Sequence, residues 1–342
     1  MGIDAPAYLL KADGGAIPLS VSRERPVEAL LSGPAASVMG MMALMPSCSE
    51  DTLVLDMGGT TTDIALLAAG QPVLSPDDLV VNGRSTLVRA LKSVSIGLGG
   101  VTVAPGIQVG PLRKGPALAF GGTDGPTFLD CLNVLGHANA GDVAASRAGV
   151  ESLAAAHGLS AESLSQEVLD CARSRVASAV RSLLDEVNSR PVYTLAALLE
   201  ERAVRPVRAV LVGGPAEAVA PLLGDALGLP VETLGDPVLG PVANAIGAAL
   251  TRPTASLDLF ADTAAGMLLV PSLDIRKPIT RRYTLEEAKA EACGLLRGQA
   301  AFASASPEID VTEAQLFATL DEYGRGGRDI RVRCQLRPGV ER

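Results

Sequence analysis

Apolar and polar positions along this chain switch between a strand-like and a helix-like period. Two runs rich in β-formers, Leu53-Val54-Leu55-Asp56-Met57 and Ile64-Ala65-Leu66-Leu67, enclose the polar stretch Gly58-Gly59-Thr60-Thr61-Thr62-Asp63. Two such runs around Gly-Gly predict a β-hairpin. Farther on, Leu164, Val168, Ala172, Val176, Val180, Leu183 and Val187 recur at intervals of three and four. This predicts an amphipathic helix within a helical stretch that begins near Val143 and ends before Pro191. Ala209-Val210-Leu211-Val212 has the length of a buried strand; it stops at Gly213-Gly214-Pro215 and leads into a helix that reaches Pro221.

Small residues form a second pattern. Gly33, Ala36, Gly40 and Ala43 share one face of a helix, and Ala243 and Gly247 lie four apart in another. Such faces permit a close helix crossing, although the first also reads as an ordinary Ala-rich helix. Residues 1–25 are strand and turn material around Asp13-Gly14-Gly15, and Pro26 suits the first turn of a helix. Residues from about 70 to 130 are rich in Gly and Pro. From residue 255 the chain reads as a small α+β unit with a strand near Gly266 to Val270 and a helix capped by Thr284 and Glu287. A hairpin follows, pairing Leu316–Leu320 with Ile330–Leu336 across Gly324 to Gly327. The expected domains are therefore 1–254 and 255–342, with helical residues at about 143–190.

Composition narrows the class. The 342 residues fit two to three domains, and 48% hydrophobic content with 3% aromatic residues and no Trp favours α/β layers over an aromatic-rich all-β core. A net charge of -9 argues against a nucleic-acid or anionic-membrane surface. The most apolar run, Val38 to Met45, is far shorter than the roughly 20 residues that span a bilayer. With no secretory leader pattern, a cytoplasmic location is expected. Cys48, Cys131, Cys171, Cys293 and Cys334 are 40 or more residues apart and read as reduced thiols. His137 and His157 are too few for a zinc site.

The hairpin carries the candidate chemistry. Glycines without Cβ atoms let backbone N–H groups approach a polyphosphate, and Thr60, Thr61 and Thr62 add hydroxyl donors. Asp56 and Asp63 are suited to a hydrated magnesium ion beside the phosphates, which they themselves repel. The bland alternative is a tight Gly-Gly turn with solvated threonines. No Walker lysine follows, since Gly-Lys-Ser/Thr occurs nowhere in the chain. Gly213, Gly214 and Pro215 make an open strand-to-helix junction of the kind that seats a nucleotide, or one that serves packing alone. Gly97, Gly99 and Gly100 form a loop that contacts a ligand or simply packs; with Thr102 where a third glycine would stand, it is no dinucleotide fingerprint.

Taken in order, the small-faced helix, the Asp-x-Gly-Gly-Thr hairpin, the Gly-Gly-Pro junction and the Ala243 to Ala249 helix resemble the actin-like ATPase superfamily. Within it, Leu31-Ser32-Gly33-Pro34-Ala35-Ala36, Asp56 to Asp63, Ile96 to Gly100, Val109-Gly110-Pro111, Gly121-Gly122, Pro126-Thr127 and Asp130 are similar to the hydantoinase/oxoprolinase family. The resemblance implies an α/β fold with actin-like ATPase (ribonuclease H-like) lobes and a small C-terminal α+β unit. It implies ATP and Mg2+ as cofactors, with the hairpin on the distal phosphates, Asp56 and Asp63 as catalytic metal-organising carboxylates, and Gly213 to Pro215 facing adenosine.

The implied reaction is ATP-dependent ring opening of a cyclic amide such as 5-oxoproline or a hydantoin, through phosphorylation of the amide oxygen. Family members normally carry a second Asp-x-Gly-Gly-Thr hairpin in an N-terminal domain, and no second copy occurs in this chain. A partner supplying that domain, or a second subunit, is expected. The same motifs fit a non-catalytic ATP-binding regulatory or assembly subunit, half of a split enzyme, or a small-molecule kinase. Val101-Thr102-Val103 replaces the family's Gly-rich continuation, which leaves the particular cyclic amide open.

Overall fold

The computed structural model describes residues 5–45, 49–75, 79–81, 83–86, 88–103, 106–113, 115–189, 203–236, 238–298, 308–320 and 326–341. Cys48, Pro191 and the hairpin turn containing Gly324 lie outside these. The chain divides into two compact units, Leu31–Leu250 and Met1–Leu30 together with Thr251–Glu341. The division near residue 250 lies close to the boundary expected at 254, but the first thirty residues group with the C-terminal segment rather than with residues 31–250.

The reason is local to the smaller unit. Its opening strands β1 (Tyr8–Leu10) and β2 (Ala16–Pro18) form an antiparallel hairpin, followed by helix α1 (Leu19–Glu24) and a 3-10 turn at Pro26–Ala29. Ala16 exchanges backbone hydrogen bonds with Arg252 (3.1 Å) and Thr254 (2.9 Å). A Cβ on Gly15 would stand 1.9 Å from Thr254 Oγ1. Asp13, buried, accepts from Lys11 Nζ (2.9 Å), the Gly15 N–H (2.9 Å) and Gln335 Nε2 (2.6 Å).

The larger unit begins with helix α2 (Ser32–Leu44) and the predicted hairpin, β3 (Thr52–Met57) and β4 (Thr61–Ala68). The Gly/Pro-rich stretch contributes short strands: β5 (Gln71–Pro72), β6 (Val80–Val81), β7 (Arg84–Ser85), β8 (Ser93–Gly97), β9 (Gly100–Thr102) and β10 (Gln108–Gly110). Helices α3 (Phe128–Val134), α4 (Val143–Ala155) and α5 (Ala161–Asn188) follow, then β11 (Arg208–Val212), α6 (Ala216–Leu227), β12 (Val231–Glu232) and α7 (Ala243–Leu250). The main sheet runs β12-β11-β3-β4-β5, with β8 also paired to β4; β11 is parallel to both neighbours and the hairpin is antiparallel. Leu53, Leu55, Ile64, Leu66 and Leu211 of the sheet share one core with Leu132, Val168, Val176 and Leu223 of the helices.

Two helix expectations are corrected. The stretch from 143 to 187 is two helices, because Gly158 adopts φ +71° and Ser160 then caps α5 by accepting from the Ser163 N–H (3.0 Å). Helix α6 passes through Pro221 and ends at Gly228; Pro221 is exposed, so solvent can satisfy the carbonyl its missing N–H releases. The predicted crossing is present between α2 and α7: a Cβ on Gly40 would stand 1.8 Å from the Ala243 carbonyl oxygen, and one on Gly247 2.0 Å from that of Ala36. Gly33 takes no part, having open space around it.

The smaller unit is completed by β13 (Ser256–Asp262), β14 (Met267–Val270), β15 (Ile275–Pro278), α8 (Leu285–Gly298), β16 (Ile309–Leu320) and β17 (Gly326–Leu336). The strands form an antiparallel sheet in the order β15-β14-β13-β17-β16. Thr284 and Glu287 cap α8 reciprocally, as the sequence predicts. In the hairpin Leu316 pairs with Ile330 and Leu320 with Gly326, and β16 starts earlier than predicted, at Ile309, which pairs with Leu336. Ile330, Val332 and Cys334 are buried while Arg331 is exposed and Arg333 half-buried; Gln335 breaks the alternation because Asp13 draws it inside. The described cysteines are free, and burial pushes the Cys131 and Cys334 thiols up to about 12.

Candidate functional site

Register decides what the hairpin presents. Asp56 stands opposite Asp63 and Met57 opposite Thr62, and the Gly58 N–H donates to the Thr61 carbonyl (2.9 Å) to close the turn. Strand alternation puts Asp56, Thr61 and Asp63 on one side and Met57 and Thr62 on the other. Gly58, Gly59 and Thr61 are exposed, and Asp56, Thr60 and Asp63 are half-buried. Thr62 is fully buried, with no hydrogen-bond partner for its Oγ1 among the described residues. Its expected phosphate contact is therefore corrected: the pleat turns it away from the tip. Gly58 likewise has no N–H to spare. The N–H groups of Gly59 and Thr60 donate to no acceptor among the described residues.

Asp56 is the most constrained carboxylate here. Its Oδ2 accepts a hydrogen bond from Ser37 Oγ, on the buried side of α2. Burial pushes the Asp56 carboxyl above the ordinary range, the Ser37 bond opposes that shift, and the charge of Asp63 adds to it. Asp56 Oδ1 accepts no hydrogen bond among the described residues. Two registered carboxylates, with one such oxygen, fit a magnesium ion, which keeps several waters and takes one or two carboxylates plus phosphate oxygens. No group of three or more His, Cys, Asp or Glu suited to a metal occurs among the described residues.

The Gly-Gly-Pro junction lies beside this pair. Val212 is in register with Asp56, and Gly213, at φ +105°, leaves room for no side chain: its Cβ would stand 2.1 Å from the Met57 carbonyl oxygen and 3.1 Å from Asp56 Oδ1. Gly214 faces open space, and Pro215 precedes the first turn of α6. The structure thus brings Asp56, Asp63, the hairpin turn and Gly213 together.

Gly97, Gly99 and Gly100 come to the same place for a packing reason. Cβ atoms there would stand 2.4 Å from Pro111 N, 2.9 Å from Thr60 Cα and 1.8 Å from the Leu112 carbonyl oxygen. Leu98 N–H donates to the Thr60 carbonyl (2.9 Å) and Gly99 N–H to that of Gly110 (3.0 Å), so backbone lies directly on backbone. Asp130, fully buried, anchors this insertion by accepting from the N–H groups of Leu118, Ala119 and Thr127 and the hydroxyls of Thr127 and Ser146.

Sequence reasoning missed two side chains at the tip. Ser37 appeared only as part of a small-residue helix. Arg113 reaches the tip from the insertion, its Nη1 donating to the Gly59 carbonyl (2.5 Å) and its Nε to that of Gly115 (2.5 Å). Its one signal was its place just after Val109-Gly110-Pro111. A groove of about 480 Å³ between β8 and α5, lined by Lys92, Arg175, Ser178 and Glu186 among others, contains none of the predicted site residues. No helix among the described residues is long and apolar enough to cross a membrane.

Comparison with known proteins agrees with this architecture. The caprolactamase subunit alpha of Pseudomonas jessenii is 33% identical over 127 residues, 37% of this chain and 18% of that protein. The solved ATP-dependent caprolactamase of the same organism superposes with a TM-score of 0.64 at 16% identity, covering 99% of this chain and 54% of the other. A nucleotide-free acetone carboxylase, from a study of ATP-dependent acetone carboxylation, gives 0.62 at 17% identity, covering 98% and 53%. The chain therefore shares the fold of these two solved proteins and spans about half the length of each. The hydantoinase/oxoprolinase family profile matches residues 1–256, and the chain belongs to that family.

Proposed function

We propose that this chain is the nucleotide-binding portion of an enzyme that opens a cyclic amide at the expense of ATP. The observation that carries the reading is the convergence of Asp56, Asp63 and the Gly58 to Thr61 turn with the open Gly213-Gly214 junction. Family membership and the lactam named in its caprolactamase relative favour a cyclic amide over other substrates.

In this reading Asp56 and Asp63 hold magnesium, and Ser37 keeps the Asp56 carboxylate turned toward it. The ion, when bound, neutralises charge on the terminal phosphates. The free N–H groups of Gly59 and Thr60, with the Thr60 and Thr61 hydroxyls, orient the distal phosphates. Gly213, Gly214 and Pro215 border adenosine. The tip's contribution is positioning and charge stabilisation rather than covalent chemistry, which is what phosphoryl transfer to an amide oxygen requires. A cytoplasmic setting, where ATP is available, goes with this assignment.

A second reading is a nucleotide-binding subunit that turns over only with another chain. It is favoured by a relative that is itself named as a subunit. Calorimetric titration of the chain with MgATP, with metal-free ATP as control, tests the common core of both. Magnesium-dependent binding that Asp56→Ala abolishes in a folded protein is the expected result; equal binding by the folded variant would remove Asp56 from the assignment. Ring-opened product and free phosphate from 5-oxoproline, hydantoins or caprolactam then separate the enzyme from the subunit, and a stable phosphorylated product would indicate a kinase.

A further inference from the structure

The hairpin has a charge problem. Its own charged residues are Asp56 and Asp63, both negative, and the chain has no Walker lysine to meet a triphosphate. One magnesium ion leaves MgATP with net negative charge, so a site that holds and stabilises its terminal phosphate gains from a fixed cation.

Arg113 brings one. Its guanidinium is held by two carbonyls, that of Gly59 at the tip through Nη1 and that of Gly115 in its own loop through Nε, while Nη2 has no hydrogen-bond partner among the described residues. Gly59 is what lets it lie there: a Cβ on that residue would stand 2.3 Å from Nη1 and 3.9 Å from Nη2. The backbone behind it is fixed as well. Val109 is fully buried, and the closeness of Gly97 to Pro111 and of Gly100 to Leu112 holds the segment against β8 and β9. A cation held this way meets a phosphate without having to be reorganised, which is the condition under which such a contact favours the transition state.

We propose that Arg113 is a phosphate-contacting residue that recognises the terminal phosphate of the nucleotide through its uncommitted Nη2. The inference rests on the reading of the hairpin as the distal-phosphate site. The competing role is a loop staple, in which the guanidinium serves only to join Gly59 to Gly115. The two roles differ in what they do to ATP relative to ADP: a staple supports the whole tip, whereas a terminal-phosphate contact acts on ATP alone.

The test is calorimetric titration of MgATP and MgADP into wild type, Arg113→Gln and Arg113→Lys, with thermal melts to establish folding. Loss of one charge-assisted hydrogen bond should weaken MgATP binding in Arg113→Gln roughly tenfold to a hundredfold and leave MgADP within about twofold. Arg113→Lys should recover part of the ATP preference. Equal weakening of both nucleotides, or an unchanged ratio, overturns the assignment while leaving the nucleotide reading intact. Failure of wild type to bind either nucleotide overturns both. Phenylglyoxal labelling of wild type, read by peptide mass spectrometry, needs no variant: MgATP should protect Arg113 and MgADP should not, and equal protection would reduce Arg113 to a staple.

Discussion

Gly33 and Gly40 lie on the same helix, α2, and the same substitution at each should have opposite effects. At Gly40 an added Cβ meets the Ala243 carbonyl oxygen at 1.8 Å, which is backbone and cannot rotate away. Relief to a tight contact of about 3.2 Å requires α2 and α7 to part by about 1.4 Å. Overpacking of this kind costs about 1–3 kcal/mol, against up to about 1 kcal/mol regained from the better helix propensity of alanine. Gly40→Ala should therefore destabilise by about 1–2 kcal/mol. At Gly33 nothing lies within 4 Å, so Gly33→Ala should be neutral or stabilise by about 0.5 kcal/mol. The effect at Gly40 also reaches the site, because Ser37 is one turn away and a shift of that size breaks its bond to Asp56. Urea denaturation followed by circular dichroism reads the stability difference, and magnesium-dependent ATP binding reads the second consequence. A Gly40→Ala variant as stable as Gly33→Ala would refute the close crossing and the argument built on it.

Two further outcomes follow from the tip. Because the Asp56 carboxyl is raised above its ordinary 3.8, the folded chain holds that proton more tightly than the unfolded chain. Its ionised form thus lowers stability at neutral pH, and the loss is relieved as pH falls from the raised value toward 3.8. Asp56→Asn should accordingly match or exceed wild type in metal-free melts at pH 7, with an advantage that shrinks on acidification; an advantage that grows would reverse the sign. Magnesium-dependent nucleotide binding by wild type should fade at a higher pH than an ordinary aspartate would dictate. Thr62→Val removes a buried hydroxyl that has no partner among the described residues, so it should stabilise by about 1 kcal/mol and leave MgATP affinity unchanged. A tenfold loss of affinity in the folded variant would return Thr62 to the phosphate site.

Much of the site was legible because its signals are local. The Asp56–Asp63 pairing follows from the lengths of two apolar runs around a Gly-Gly turn, and the reciprocal Thr284–Glu287 cap from a spacing of three. The small residues at Gly40 and Gly247 announced a crossing, since only close backbones exclude a Cβ on both partners. Thr62 shows where local reading stopped short: composition made it a donor beside Thr60 and Thr61, but the pleat sends alternate side chains to opposite faces. Pro221 misled in a different way, because a helix tolerates a proline where solvent can satisfy the freed carbonyl.

The sequence by itself determined the hairpin, the strand–glycine–helix junction, the small-residue faces of the two helices and the family they belong to. Each depends on residues within a few positions of one another, whose backbone preferences and spacing act before any tertiary contact forms. Only the tertiary structure decided that Ser37 holds Asp56 across 19 residues, that Arg113 covers Gly59 across 54, and that Asp13 captures Gln335 across 322. Those pairings depend on which backbones approach closely enough to bring distant side chains within hydrogen-bond reach, and no local periodicity encodes that distance.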